Sequence, residues 1–242
     1  YLNGKREICR GLIAELGRTF SYVSILGTDV HATIYRTDRR SSAIRDGEGE
    51  CGFVIKMHNG KAFFEYSLDD LSGDIPALAE KIRRAVAISP SLEDRMIESN
   101  AVKDEPLRRD FIRETDFASY GDSDILSYCS ELRDRLLAKD NRFVNAVVTL
   151  QPFEVSKLFV TKNRELSQSY GWVNGYLMVI AQDGRMVNAR EGACSTHIAD
   201  VMERLPQLID KLADKVLHLT KATPIETGIY ELLTDNTKTG LI

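Results

Sequence analysis

Hydrophobic and polar positions alternate along the first ninety residues in a pattern that predicts strands between two helices. A short helix is expected around Lys5 to Leu16. An Asn59-Gly60 pair between the last two strand-like runs predicts a hairpin closed by a type I′ turn. Apolar residues then recur every three or four positions, which predicts a helix over residues 77–86 against the sheet. The strand-like runs are SYVSILG, HATIYRT, ECGFVIKM and KAFFEYS.

The second half of the chain repeats this order of helix, strands and helix. Asp122 is the predicted N-cap of a helix whose apolar residues are spaced by four, three and four positions. An Asp183-Gly184 pair indicates a further hairpin. A long apolar helical face follows from Ile198 to Leu219, and Pro206 is expected to kink or split it. The strand-like runs between the helices are NAVVTLQPFEV, KLFVT, LSQSYGW, GYLMVIA and RMVNA.

These patterns predict an α+β fold of two successive units, each an antiparallel or mixed β-sheet covered by helices. Residues 1–90 form the first unit and residues 122–223 the second. Residues 91–121 are rich in charges and have few apolar anchors, so they are interpreted as a connector. No clear sequence repeat relates the two units.

The charge balance gives no reason to expect a nucleic-acid partner. Over 242 residues, 32 Lys and Arg stand against 36 Asp and Glu, for a net charge of −4. Arg36, Arg39, Arg40 and Arg45 form a local basic cluster, but nearby acidic residues dilute it. The cluster is therefore interpreted as a solvated loop.

Cysteine usage and hydropathy favour a chain that works in the cytoplasm without a membrane partner. The four cysteines lie far apart with no C-x-x-C pair, which argues against a disulfide framework and against a zinc ribbon. No apolar run approaches the length of a membrane span, and the first residues lack the apolar centre of a signal peptide.

No complete set of catalytic or metal-binding residues can be assembled from the sequence. Cys194 and His197 have C-x-x-H spacing but lack a third ligand nearby, so they are interpreted as a strand-to-helix corner. Ser195 lacks the G-x-S-x-G context of a hydrolase nucleophile. We therefore expect no catalytic residue and no metal ligand in this chain.

One aromatic segment is a candidate binding site. Tyr170, Gly171 and Trp172 stand just before an Asn-Gly pair, and together they could line a groove that admits an extended peptide. The alternative is a hairpin corner whose aromatic side chains belong to the core.

The order of these features resembles the TldD/PmbA proteins, the family also called modulator of DNA gyrase. The segments DGEGECGFVIKMHNGKAFFEYS and IPALAEKIRRAVAI occupy the places of that family's first domain, and FVNAVVTLQPFEVSKLFVTKNRELSQSYGW begins its second. The final segment TGIYELLTDNTKTGLI resembles the opening of the third domain, where a Gly-x-Tyr strand leads to an apolar triplet. Residues 224–242 are accordingly expected to be the stub of that C-terminal domain.

The resemblance implies the N-terminal portion of a zinc metallopeptidase that acts on unfolded or extended peptides. In peptidase members a His-Glu-x-x-x-His helix follows the triplet, and its histidines bind zinc. None of those residues lies within this sequence, so the chain alone is expected to hold no cofactor and to be inactive. It would supply substrate access and contacts of a homodimer or of a heterodimer with a family member. The alternatives are a non-catalytic partner subunit of the PmbA type and a stand-alone binding module.

Overall fold

One eight-stranded sheet runs through the described part of the chain, which comprises residues 1–87, 100, 103–231 and 233 in this computed structural model. Helices accompany the sheet, so the predicted α+β class is confirmed. The strands are β1 (Tyr22–Thr37), β2 (Ser42–Asp46), β3 (Glu50–His58), β4 (Phe63–Leu68), β5 (Leu107–Ile112), β6 (Phe143–Thr161), β7 (Arg164–Asp183) and β8 (Arg185–Ser195). The described α-helices are α1 (Arg6–Leu16), α2 (Ile75–Ala85), α3 (Asp122–Leu137), α4 (Ile198–Arg204) and α5 (Ile209–Lys221).

Three long strands join the two halves of the chain in this sheet. The strand order is β4-β3-β1-β6-β7-β5, with β2 also paired to β1 and β8 also paired to β7. The first half of β1 pairs with β3 and its second half with β2, while β6 lies along its other side. The β5–β7 pair is parallel and the other pairs are antiparallel, so the sheet is mixed.

Several runs that were expected to be separate strands are continuous in the structure. The runs SYVSILG and HATIYRT form the single strand β1, and Gly27 at their junction leaves room for the ring of Phe53, whose Cε1 lies 2.7 Å from where a Cβ would be. Pro152 lies inside β6 between the pairs Ala32–Phe153 and Tyr35–Leu150, where β1 and β6 keep their register but the ladder has no pair. Its missing N–H therefore falls in a gap of that ladder.

The predicted β3–β4 hairpin is confirmed, but its type I′ turn is wrong. His58 pairs with Phe63, which leaves a four-residue loop. Gly60 has a φ of +99°, whereas Asn59 does not have the positive φ that type I′ demands. The Asn59 side chain instead accepts hydrogen bonds from the backbone amides of Lys61 and Ala62, both at 2.9 Å.

The predicted helix after this hairpin is confirmed as α2. Asp74 caps it by accepting a hydrogen bond from the Ala77 amide at 3.0 Å. Ala79 and Ile82 are fully buried. The expected split of the last helix is also confirmed, because a 3₁₀ turn containing Pro206 separates α4 from α5.

The described helices all pack against the same face of the sheet. Along β6, Ala146, Val148 and Leu150 belong to the core beneath α3, α4 and α5, and Leu158 and Val160 belong to the core beneath α1 and α2. These five residues have even numbers, so they point to one side of a continuous strand. We call this side the helix face. The open face is the opposite side: the odd-numbered residues of β6 from Asn145 onward and their cross-strand partners.

After strand β5 at the edge of the sheet, residues 113–121 cross the helix face between its two groups of helices. Asp116 accepts hydrogen bonds from the amides of Ile198 and Ala199 at 2.6 and 3.0 Å, and so caps α4 from a distance in sequence. The predicted N-cap role of Asp122 is wrong. Gly121 occupies that position, and the Asp122 carboxylate instead accepts a hydrogen bond from the Tyr35 hydroxyl at 2.7 Å.

Part of the sequence-based interpretation concerns residues that are not described. Residues 88–99, in which the expected connector begins, and the Gly-Leu-Ile triplet at 240–242 lie outside the described residues. Gly228 to Tyr230, expected to begin a strand, is described and is not in one. Among the described helices, none combines the length and the apolar character needed to cross a bilayer.

Candidate functional site

The centre of the open face is an aromatic stripe across β6 and β7. Phe153 and Trp172 are cross-strand partners, and their rings stack with centroids 4.9 Å apart and planes 12° apart. Tyr170 lies beside Trp172, with ring centroids 6.3 Å apart. All three side chains are half-buried, and their cross-strand neighbour Val155 is buried. The stripe therefore offers flat apolar surface to a binding partner.

The structure brings together two of the three predicted groove residues and separates the third. Tyr170 and Trp172 lie on the open face, whereas Gly171 between them faces the helix face. A Cβ at Gly171 would lie 2.7 Å from the Phe153 carbonyl oxygen and 2.9 Å from the Phe117 ring. Gly171 thus permits the crossing segment to lie directly on the sheet.

Phe153 and Tyr176, two further aromatic residues of the open face, were not predicted from the sequence as part of the candidate site. Phe153 lies in a run that has apolar residues on both faces, so its position beside Trp172 depends on the register of β6 and β7. Tyr176 lies further along β7, and the Arg190 guanidinium from β8 is centred 5.3 Å from its ring. This distance is within range of a cation–π interaction.

The sheet also separates its charges between the two faces. The strand positions of the open face carry seven basic residues and two acidic ones, and those of the helix face carry two basic and seven acidic. The open face has Arg36, Arg45, Lys56, Arg109, Lys157, Arg164 and Arg190 against Glu50 and Glu65. The helix face has Asp29, Asp46, Asp110, Glu154, Glu165, Asp183 and Glu191 against Arg108 and Arg185.

This arrangement corrects one interpretation of the sequence. Arg36 and Arg45 were assigned to a solvated loop, but they belong to β1 and β2. Their side chains project to the open face because Arg36 pairs with Ala43 and Arg45 pairs with Ile34. Not every acidic residue near these arginines in the sequence lies on the same face of the sheet. Asp46 points to the helix face.

Acidic residues of the helix face help to hold the helices on the sheet. Glu165 accepts hydrogen bonds from Arg6 and Arg10 of α1, both at 2.6 Å. Burial raises the pKa of Glu165, but these two guanidinium groups outweigh burial and leave it below its usual value. Glu191 similarly accepts from Lys215 at 2.8 Å, which lowers its pKa.

The described residues do not fit a zinc site, and two of the four cysteine thiols are buried. They contain no group of three or more His, Cys, Asp and Glu side chains arranged to hold a metal ion. Cys194 is exposed in β8, and His197 immediately precedes α4, which confirms the strand-to-helix corner. Burial raises the pKa of Cys9 to about 11 and that of Cys129 to about 12, so both thiols stay protonated at neutral pH.

Solved structures share this architecture. A modulator of DNA gyrase from Thermotoga maritima aligns with a TM-score of 0.66 and 14% identity over 92% of this chain. One from Bacteroides thetaiotaomicron aligns with a TM-score of 0.66 and 11% identity over 88%. The chain has their fold. TldE from Thermococcus kodakarensis aligns with a TM-score of 0.55 and 10% identity over 84% of this chain.

The predicted resemblance to the TldD/PmbA proteins is thereby confirmed at the level of the fold. The chain spans about half the length of these structures, covering 50%, 49% and 47% of them respectively. No protein-family profile and no curated protein matches the sequence.

Proposed function

We propose that this chain is the polypeptide-binding N-terminal portion of a TldD/PmbA-like zinc metallopeptidase. The observation that carries the proposal is the aromatic stripe of Phe153, Tyr170 and Trp172 on a face that no described helix covers. The fold, and the half-length coverage of the similar structures, support the assignment to one portion of a longer protein.

Extended polypeptide suits this face better than a compact small molecule. Ligand pockets for small molecules are concave and enclose most of the ligand, whereas this face is a broad strand surface. An unfolded segment can lay apolar side chains on Tyr170 and Trp172. It can also pair its main chain with β8, which has no second partner among the described strands. Recognition of this kind places few demands on the substrate's sequence.

In this proposal the chain binds and positions substrate, and the hydrolytic step takes place elsewhere. Zinc would polarise the scissile carbonyl and activate water in the remaining part of the protein. The described residues supply no ligand set for that ion. Their contribution is to hold polypeptide in an extended form, which lowers the entropy that must be lost at the catalytic centre.

Tryptophan fluorescence tests the proposal, because Trp172 is the chain's single tryptophan. A permanently unfolded polypeptide is titrated into the chain. Reduced and carboxymethylated α-lactalbumin is suitable, once its own tryptophans have been oxidised so that they do not fluoresce. We expect a saturable blue shift, weakened about fivefold or more in Tyr170→Ala. Tyr230→Ala, an exposed aromatic of the C-terminal tail, is the matched control and should bind normally. No change at saturating polypeptide would contradict the proposal.

We also propose that the chain associates with a copy of itself or with a related subunit. Ile225, Ile229 and Leu233 in the tail are exposed by 77, 105 and 99%. Exposed apolar side chains close together in sequence are typical of a contact surface. Light scattering at low micromolar concentration should detect dimers, and Ile229→Asp should reduce them. A purely monomeric chain with a protease-resistant tail would count against association.

A further inference from the structure

Three of the seven basic residues on the open face are unpaired among the described residues. Among the described residues, Arg45, Arg109 and Lys157 have no carboxylate within salt-bridge distance. By contrast, Lys56 is paired with Glu65 at 3.1 Å, and Arg164 donates to the carbonyl oxygens of Lys103 and Glu105. The free cations therefore keep their capacity to form charge-assisted hydrogen bonds.

Two basic residues of the open face, Lys157 and Arg36, flank the aromatic stripe along the strand direction. Neither forms an ion pair with another described residue. The Arg40 amide and, more weakly, Arg36 lower the pKa of Asp38. Lys157 on β6 is two residues beyond Val155, the cross-strand partner of Tyr170. At the other end, Arg36 pairs with Thr149. Since a strand rises about 3.3 Å per residue, the eight steps from Thr149 to Lys157 span roughly 26 Å. An extended segment of about eight residues can therefore cover the stripe and reach a cation at each end.

We infer that the open face selects polypeptide segments that combine an apolar centre with acidic residues on both sides. The inference rests on the proposed function and specifies its substrate class. Trp172, Tyr170 and Phe153 would bind the apolar centre, and Lys157 and Arg36 would bind carboxylates at the two ends. Basic segments with the same apolar centre would be repelled by the same side chains.

The charges of the opposite face favour an acidic peptide over a nucleic acid. Nucleic-acid binding depends on a long positive field that displaces counterions from many phosphates. Seven acidic strand residues lie on the helix face. The Debye length at physiological salt is roughly 8–10 Å, comparable to the thickness of a sheet with its side chains, so these charges act on the potential above the open face. They weaken the distant field of the open face, and the whole chain has a net charge of −4. Individual carboxylates in contact with Lys157 or Arg109 are bound locally despite this.

Three synthetic peptides test the inference, each with the same apolar centre and with flanks of glutamate, glutamine or lysine. Binding to the intact chain is followed through Trp172 fluorescence. We expect the glutamate peptide to bind about tenfold tighter than the lysine peptide at low salt, with the ratio falling towards one at 0.5 M salt. Lys157→Gln combined with Arg36→Gln should remove most of the preference. Lys221→Gln, an exposed lysine at the end of α5, is the control and should keep it.

The outcomes separate this inference from the proposed function. If none of the three peptides binds, the proposed polypeptide-binding function fails and the inference fails with it. If all three bind equally, or the preference is insensitive to salt, the inference is overturned while polypeptide binding stands. If a single-stranded oligonucleotide of equal charge competes more strongly than the glutamate peptide, the face is a nucleic-acid site and the inference is wrong.

Discussion

Phe153 on β6 and Trp172 on β7 stack face to face on the open side of the sheet, with ring centroids 4.9 Å apart. They lie directly opposite each other in the antiparallel ladder, where side chains are close enough for aromatic pairs to interact. Both rings remain partly exposed. The pair therefore stabilises the sheet and presents a rigid apolar surface to a partner.

A double-mutant cycle should detect the coupling between these rings. Phe153→Ala and Trp172→Ala should each lower the free energy of unfolding, and the double variant should lose about 0.5–1.5 kcal/mol less than their sum. Chemical denaturation followed by circular dichroism gives the four values. A control cycle between Phe153→Ala and Tyr230→Ala should be additive. Additivity in the first cycle would mean that the stacking contributes nothing.

Replacing Gly171 by alanine should destabilise the chain without touching the open face. The new Cβ would clash with the Phe153 carbonyl oxygen at 2.7 Å and with the Phe117 ring at 2.9 Å. We expect a loss of about 1–3 kcal/mol in unfolding free energy. Gly4→Ala is the control, since nothing lies within 4 Å of its added Cβ. Equal stability of the two variants would show that the crossing segment does not pack on Gly171.

Glu165 should make the attachment of α1 depend on pH. Its side chain is 11% exposed and paired with Arg6 and Arg10, and its pKa in the folded chain is lowered. The associated stability is present above the unfolded pKa, near 4.5, and is lost as the pH falls through the folded value. Glu165→Gln should cost about 1–2 kcal/mol at pH 7 and less as the pH falls to 3.

Denaturation curves between pH 7 and pH 3 measure this effect. Glu7→Gln serves as the control, because Glu7 also pairs with Arg10 but is 85% exposed. It should change stability by less than about 0.5 kcal/mol. A Glu165→Gln deficit that stays constant with pH would refute the assignment.

The chain should retain no stoichiometric zinc. Catalytic zinc needs about three protein ligands in fixed geometry, and Cys194 and His197 at the strand-to-helix corner supply two at most. After dialysis against zinc and then against buffer, atomic emission should find far less than one ion per chain. One tightly held ion, lost in Cys194→Ala, would overturn this expectation and locate metal chemistry within the chain.

The sequence predicts helices and the β3–β4 hairpin well because their signals are local. Ala79 and Ile82 are spaced at the helical period. Asp74 is a typical N-cap residue of a helix, and Asn59 is a typical turn residue. The lengths of β1, β6 and β7 were underestimated, because Gly27 is normally a break and its contact with Phe53 is non-local. Such long-range packing overrides local propensity.

The candidate site could be predicted only in part from the sequence, because it also depends on long-range strand pairing. Tyr170 and Trp172 stand out as aromatic residues, but the run around Phe153 is apolar on both faces of β6, so alternation does not tell which side is covered. The separation of charge between the faces depends on the register of every strand pair. Arg36 and Asp46, close in sequence, end on opposite faces.

Mapping of bound polypeptide by NMR tests the central claim most directly. Backbone and indole N–H signals of the labelled chain are recorded during titration with the glutamate-flanked peptide. We expect shifts of the Trp172 indole and of its open-face neighbours on β6 and β7, with little change at Val201 or Leu205, which pack against the helix face of the sheet. Shifts centred on the helix-face residues, or no saturable shift at all, would contradict the claim that the open face binds polypeptide.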